Sequence, residues 1–501
     1  MKYPPWGGEK KERPDVTIVH LLERNAKQWP EDSALVEINP DQPETRRVTW
    51  HEFELVEPSA RTRHYRREIT WAVFNEKANR IANMLKSHGI GKGNKVAILL
   101  MNCIDWLPIY FGILKTGALA VPMNFRYAAD EIEYCLNLSE SNMLVFGPEF
   151  IGRVESVLDR VPRVKNCFYV GDDCPTFADS YDTLITYCSS IAPSIYLTDE
   201  DDGAIYFSSG TTGFPKAILH KHASLSHSAK VEQAHHGQTR DDVFLLIPPL
   251  YHTGAKMHWF GSFLVGGRAV LLKGVKPEWI LRAASEEKCT IVWLLVPWAQ
   301  DILDAIERGD VKLEDYQLSQ WRLMHIGAQP VPPALIKRWK TVFPHHDYDT
   351  NYGLSESTGP GCVHLGIENI DHVGAIGVPG YRWECKICDE TGNVSWLLFT
   401  GAELLARYND NAPDGNTFLT DPEACPRPCY RWYKYYESKE YRDLINSSDY
   451  APSISEEAQQ PLFSLTNEWF DPNIWEKGTF DESTGQLVTG QYGFGRGKSF
   501  A

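Results

Sequence analysis

The chain predicts an α/β protein built on parallel sheet, and three observations carry that prediction. Residues 96–100, 106–115 and 118–122 read as strand, helix and strand, the βαβ unit of a parallel sheet. The alternation continues with a helix at residues 130–138 and a strand at residues 143–146. A hydroxyl- and glycine-rich segment closed by a lysine, residues 206–216, follows directly on the apolar stretch 204–207. With 501 residues the chain exceeds what one core can hold, so two or three domains are expected.

Composition narrows the function classes. Hydrophobic residues at 43% and charged ones at 23% describe a globular protein. A net charge of −16, with no long basic run, argues against nucleic acid as a partner. The first residues lack the apolar core of a secretory or transit signal, so a cytoplasmic protein is expected. The most apolar stretch, residues 96–123, contains Asp105, Pro108 and Lys115 and so predicts no membrane span. Eleven cysteines are then expected to be mostly reduced.

The loop Tyr206-Phe-Ser-Ser-Gly-Thr-Thr-Gly-Phe-Pro-Lys216 has the makings of a phosphate cradle. Gly210 and Gly213 allow backbone conformations closed to other residues, Ser208, Ser209, Thr211 and Thr212 supply hydroxyls, and Lys216 supplies positive charge. It is not a Walker-type loop, because Pro215 precedes the lysine and Ala217 follows where Ser or Thr is required. Gly497-Lys498-Ser499 imitates the close of such a loop, but Tyr492 stands where its opening glycine belongs.

At this loop the chain resembles the adenylate-forming (AMP-binding) superfamily of acyl-CoA synthetases, aryl-CoA ligases and luciferases. Three further segments carry the resemblance in the family's order. Pro248-Pro-Leu-Tyr-His252-Thr-Gly254 is similar to the segment whose histidine lines the acyl pocket, and Gly327-Ala328-Gln329-Pro330 to the turn bordering adenine and acyl group. In Asn351-Tyr352-Gly353-Leu354-Ser355-Glu356-Ser357 the resemblance implies that Tyr352 packs on adenine, Ser355 lies near the α-phosphate and Glu356 holds Mg²⁺. The implied catalytic set is Lys216, His252, Ser355 and Glu356. The implied nucleotide-binding set is Ser208, Ser209, Gly210, Thr211, Thr212, Gly213, Gly327, Ala328, Gln329, Asn351, Tyr352 and Gly353.

The resemblance implies two stacked α/β subdomains and a small β-rich one within residues 15–395, after an arm at residues 1–14. In family members a strand ending in Thr-Trp or Thr-Tyr leads into the helix that here begins near Phe74. Arg46-Arg-Val-Thr-Trp50 is echoed by Arg67-Glu-Ile-Thr-Trp71, so residues 54–66 read as an insertion or duplicated strand, expected as a surface hairpin with a basic end at Arg61, Arg63, Arg66 and Arg67. Cys385-Lys-Ile-Cys388 and Cys425-Pro-Arg-Pro-Cys429 could bind zinc, but the first also resembles an ordinary strand and hairpin of this fold. Gly401–Arg407 still resembles the family's Gly-Glu-Leu strand, whereas Asp421 is a poor match to the ribose-binding aspartate. Residues 396–501, with Trp432, Trp469 and Trp475 as expected anchors, diverge, and the usual lid domain with its lysine is expected to be missing or replaced.

The implied activity is ATP-dependent activation of a carboxylic acid to an acyl-adenylate and transfer to CoA, with a homodimer as a possible assembly. The alternative is an ATP- or acyl-AMP-binding relative whose catalysis suffers from the lid's divergence. Met257, Trp259, Trp293 and Trp298 suggest an apolar, aromatic-lined acyl pocket, and each could equally belong to the core. With no basic residue set to meet a second carboxylate, the expected acid is a fatty, alicyclic or aromatic monocarboxylate.

Overall fold

Val96 and Ile98 pack into one buried cluster while Ala97 and Leu99 pack into another, the period-two alternation of a strand covered on both faces. The computed structural model describes residues 17–40, 48–50, 65–208, 215–364, 377–381, 383, 385–388, 394–398, 479–481 and 486–488. In it the βαβ unit comprises Lys95–Leu99, Trp106–Leu114 and Leu119–Pro122, followed by the helix Ala129–Leu138 and the strand Met143–Phe146.

These strands belong to a seven-stranded sheet in the order Lys216–Lys221, Asp202–Ser208, Leu119–Pro122, Lys95–Leu99, Met143–Phe146, Asn166–Tyr169 and Asp179–Ser180. Its pairings are parallel except for the first. An eight-stranded sheet runs Asp347–Asp349, Leu323–Gly327, Ile291–Leu295, Val243–Leu246, Arg268–Leu272, Ser33–Ile38, Arg66–Thr70 and Val48–Trp50. Trp71, Phe74, Trp106, Phe111, Trp259 and Phe263 join Val96 and Ile98 of one sheet and Phe244 and Leu246 of the other in a single core cluster. The helices Trp71–Ser87, Trp106–Leu114 and Thr253–Val265 thus lie between the sheets. The outer face of the larger sheet is covered by Pro277–Glu286, Val296–Arg308 and Pro333–Val342. A small antiparallel sheet, Asn351–Leu354, Gly359–Val363 and Val378–Pro379, stands beside them.

Local signals set the helix ends. Thr70 caps Trp71–Ser87 by accepting a hydrogen bond from Val73 N at 3.3 Å, and Val296–Arg308 begins with a proline in its first turn and stops at Gly309, φ +77°. Among the described residues no helix is long and apolar enough to cross a membrane.

The echoed Thr-Trp strands are neighbours in the larger sheet, while residues 51–64, most of the segment expected as a surface hairpin, lie outside the described residues. Val48–Trp50 lies parallel to Arg66–Thr70, with Val48 opposite Arg67 and Trp50 opposite Ile69. Of the basic end, Arg66 and Arg67 are buried rather than at the surface, Arg66 on Glu287 at 2.6 Å and Arg67 on Asp105 at 3.5 Å, while Arg61 and Arg63 lie outside the described residues. Cys385–Cys388 forms a strand of an antiparallel hairpin with Val394–Leu398, while Cys425 and Cys429, Asp421, Gly401–Arg407 and Trp432, Trp469 and Trp475 lie outside the described residues.

Two predictions arise from this packing. A Cβ on Gly261, where Thr253–Val265 crosses His222–His236, would lie 1.7 Å from Gln238 Oε1 and 2.8 Å from the backbone nitrogen of Gln233. Gly261→Val should therefore cost about 1–3 kcal/mol in denaturant unfolding. Gly152→Val, with nothing within 4 Å, is the control that separates crowding from helix propensity. His222 is buried with neither ring nitrogen hydrogen-bonded, and burial pulls its pKa down to about 4. Since the unfolded value is about 6.5, the unfolded chain binds more protons between those values, and stability falls as pH drops through that window. His222→Leu should flatten the dependence of Tm on pH between about 6.5 and about 4; an unchanged slope would refute the assignment.

Candidate active site

The strands Asp202–Ser208 and Lys216–Lys221 pair antiparallel with Ser208 opposite Lys216, so residues 209–214 bridge the open end of a hairpin. Ser209, Gly210, Thr211, Thr212 and Gly213 lie outside the described residues. Ser208 is half-buried and Lys216 is exposed.

Alternation along this second strand puts Lys216, Ile218 and His220 on one face. His220 is buried, and its Nε2 lies 2.7 Å from the carbonyl of Ser355 while its Nδ1 lies 2.7 Å from the hydroxyl of Thr358. A carbonyl only accepts, so Nε2–H donates to Ser355 and Nδ1 accepts from Thr358. Burial, which lowers its pKa, keeps the ring in this neutral form. His220 thereby ties the strand that carries Lys216 to the turn that carries Ser355 and Glu356. From behind, Ser228 Oγ donates to the Thr358 carbonyl at 2.7 Å.

The turn itself is tightly built. The Ser357 hydroxyl accepts from Leu354 N at 2.9 Å, and Thr358 adopts φ +62°. A Cβ on Gly353 would sit 2.2 Å from the Gly359 carbonyl, so the hairpin itself demands glycine there. Pinned on its inner side, the turn presents Glu356 outward, exposed and without an ion-pair partner among the described residues. Tyr352 is half-buried, and Asn351 turns inward to donate to Glu232 at 3.3 Å. Gly327 ends its strand with the Thr350 hydroxyl 3.8 Å from the position of an added Cβ; Ala328, φ +64°, and Gln329 are exposed beyond it. The Gly327 turn and the Tyr352 strand therefore share one edge, at the C-terminal end of parallel strands.

His252 caps the helix Thr253–Val265. Its approach, residues 248–252, is held by Asn102, which accepts from Leu250 N at 2.8 Å and donates to the Pro248 carbonyl at 3.0 Å. Lys256 donates to the carbonyls of Leu250 at 2.5 Å and His252 at 3.0 Å, and its ammonium group stands 4.5 Å from the Tyr206 ring centre. Burial holds the Lys256 pKa well below its ordinary value. The His252 ring is exposed, yet the protein around it, then the charges of Lys256 and Arg126, pull its pKa down to about 4. It is neutral at pH 7.

The expected aromatic pocket is redrawn by packing. Met257 and Trp259 belong to the core between the sheets, and Trp298 packs on the outer helical layer. The Trp293 ring stands 4.4 Å from His258 and 5.8 Å from His325, so polar side chains border the ring that was expected to line an apolar wall. Neither His220 nor Lys256 was singled out by motif; strand alternation from Lys216 is the signal that points to His220.

His220→Leu should loosen the turn and leave the Thr358 hydroxyl buried and unpaired, costing about 1–3 kcal/mol. If the tie positions Glu356, the KM for Mg-ATP should rise while Lys216 and Glu356 remain in place; a purely structural role would lower Tm with KM unchanged.

Residues 22–401 match the model of the AMP-binding enzyme family. The chain is 26% identical over 398 residues to the 3-oxocholest-4-en-26-oate–CoA ligase of Rhodococcus rhodochrous, covering 74% of this chain and 71% of that protein. It is 28% identical over 324 residues to the long-chain-fatty-acid–CoA ligase FadD13 of Mycobacterium tuberculosis, covering 64% of this chain and 61% of that one, so the match to FadD13 spans less than two thirds of its length. The crystal structure of the anthranilate CoA ligase AuaEII in complex with anthranoyl-AMP superposes with a TM-score of 0.65 at 24% identity, over 76% of this chain and 68% of that one, which shows the shared adenylate-forming fold. With the family model matching well over half its length, the chain belongs to the AMP-binding enzyme family.

Proposed function

We propose that the chain is an AMP-forming acyl-CoA ligase. A substrate carboxylate oxygen attacks the α-phosphorus of ATP, the bond to the bridging oxygen of the β-phosphate breaks, and pyrophosphate leaves. The sulfur of CoA then attacks the acyl carbon and AMP departs. The observation that carries this reading is the His220 tie, which holds the strand of Lys216 and the turn of Ser355 and Glu356 as one unit.

The reaction brings anions together, so the site's task is charge management. Lys216, Ser208 and the loop residues Ser209, Gly210, Thr211, Thr212 and Gly213 would receive the triphosphate. Tyr352, with the backbone of Gly327, Ala328 and Gln329, would border the adenine. The outward carboxylate of Glu356, unpaired among the described residues, fits a hard cation that takes one or two carboxylates together with phosphate oxygens, and Glu356 would hold Mg²⁺. When bound, that ion neutralises phosphate charge. Neutral His252 would border the acid without adding charge. Lys256, with its amine spent on two carbonyls, is not available to a second carboxylate, which supports a fatty, alicyclic or aromatic monocarboxylic substrate. Free thiols at Cys103, Cys135, Cys167, Cys174, Cys188, Cys289 and Cys362 suit the reducing cytosol, where ATP and CoA are at hand.

The test is pyrophosphate release from Mg-ATP across short, medium, branched and aromatic acids, with CoA-thioester formation followed in parallel. Acid-dependent release that fails in Lys216→Ala supports the ligase. ATP that raises the melting temperature without release from any acid would favour an acyl-AMP-binding relative.

A further inference from the structure

Behind the nucleotide edge, four imidazoles and two carboxylates meet in the interior. Trp293, His325 and Asp349 form a row across three parallel strands, each opposite the next. The helix His222–His236 delivers Glu232, His235 and His236 onto this row, and Thr253–Val265 delivers His258. Glu232 and His325 are 0% exposed and Asp349 2%. The Asp349 carboxylate lies 2.6 Å from His235 Nε2, 2.5 Å from His236 Nε2 and 3.0 Å from His325 Nδ1. Glu232 lies 2.5 Å from His258 Nδ1 and 3.3 Å from His236 Nδ1.

Charge and hydrogen bonding are both unbalanced. Neither carboxylate has a lysine or arginine ion-pair partner among the described residues, and negative charge buried on this pair demands compensation. Glu232 Oε2, His236 Nδ1, His258 Nδ1 and His325 Nε2 are buried without a hydrogen bond of sound geometry. A divalent cation supplies the missing charge. Donor atoms of His235, His236 and Asp349 lie within 4.8 Å of one another, close enough for one ion to reach all three.

We infer that His235 Nε2, His236 Nε2 and the Asp349 carboxylate hold a resident transition-metal ion, with His325 Nδ1 as the adjacent fourth donor. Imidazole and carboxylate donors in four-coordination suit zinc. Glu232 Oε2 stands 3.3 Å from the far nitrogen of His236, the place of an outer carboxylate to a metal-bound imidazole, although the two are not aligned as a hydrogen bond. The site is separate from Glu356, which is exposed on the turn beyond Asn351–Leu354. Its role is structural: the ion would lock the C-terminal end of His222–His236 to the edge strand Asp347–Asp349, which leads directly into the Tyr352 strand. Protons on two imidazoles are the competing way to balance the charge, and the two accounts differ in metal content.

The test uses the full chain purified without a polyhistidine tag and dialysed into magnesium buffer. Elemental analysis should find about one zinc per chain, lost in Asp349→Asn and in His236→Gln but kept in Glu356→Gln. Chelation of the unmutated protein should lower its Tm, and zinc should restore it. Folded protein with only trace metal, and a Tm indifferent to both chelator and zinc, would overturn the site in favour of the protonated cluster. Should the variants fail to fold, metal content and the Tm response of the unmutated chain decide the matter.

Discussion

Glu356→Gln will cut acid-dependent pyrophosphate release by about 10²- to 10³-fold, the size of effect found when one preorganised charge-stabilising group is removed from a site. The substitution keeps the shape and removes the charge. Glu356 is exposed, and the turn that carries it is held through backbone and hydroxyl groups of its neighbours: the Ser355 carbonyl by His220, the Thr358 carbonyl by Ser228, and the Ser357 hydroxyl within the turn. The fold should therefore be indifferent, with the unfolding midpoint unmoved. Because the lost group is proposed to bind Mg²⁺, the defect should shrink as Mg²⁺ is raised, and Glu356→Asp should retain part of the rate. Full activity in Glu356→Gln, or a loss that tracks unfolding, would refute the role. Lys216→Ala should weaken Mg-ATP binding without that dependence on Mg²⁺.

Asp105→Ala will unfold the protein more readily by about 3–5 kcal/mol, the penalty for leaving a buried charge without its partner. Asp105 is 1% exposed, Lys77 0% and Arg67 3%. Lys77 Nζ stands 2.6 Å from one Asp105 oxygen, and Arg67 is 3.5 Å from the other. Arg67 also faces Glu37 at 3.8 Å, and Lys273 faces Glu37 at 3.4 Å. Burial pushes the Glu37 carboxyl up, but Lys273 and Arg67 outweigh it and hold its pKa below the usual value. A carboxyl lowered on folding contributes stability above its unfolded pKa of about 4.3 and loses it as pH falls through the lower folded value. The network should therefore give way in acid. Lys77→Met combined with Asp105→Leu should recover much of the loss in denaturant unfolding, since the ammonium is removed together with its carboxylate and Arg67 keeps Glu37 at 3.8 Å. Equal destabilisation by the single and double variants would show that packing around Asp105, not charge pairing, carries the effect.

The βαβ order of residues 95–122 was legible because strand and helix periodicity are local properties, written in which neighbours are apolar. Lys216, Ser355 and Glu356 could be singled out for a related reason: each stands in a short contiguous segment, residues 206–216 or 351–357, that resembles a family motif, and the roles proposed for them rest on the tests above. What the sequence by itself determined was this set of local segments and the family they belong to. The tertiary structure decided the rest. Val48–Trp50 pairs parallel with Arg66–Thr70, a direction that the repeated Thr-Trp does not specify. Met257 and Trp259 became core because both sheets close over one helix. His220, at a distance of 135 positions from Ser355, and the ring of His235, His236 and His325 around Asp349, with His258 on Glu232, acquire meaning only when separate elements are brought together. A single histidine in a sequence is chemically ambiguous, since its charge, tautomer and partners are set by burial and neighbours, and those exist only in the folded chain.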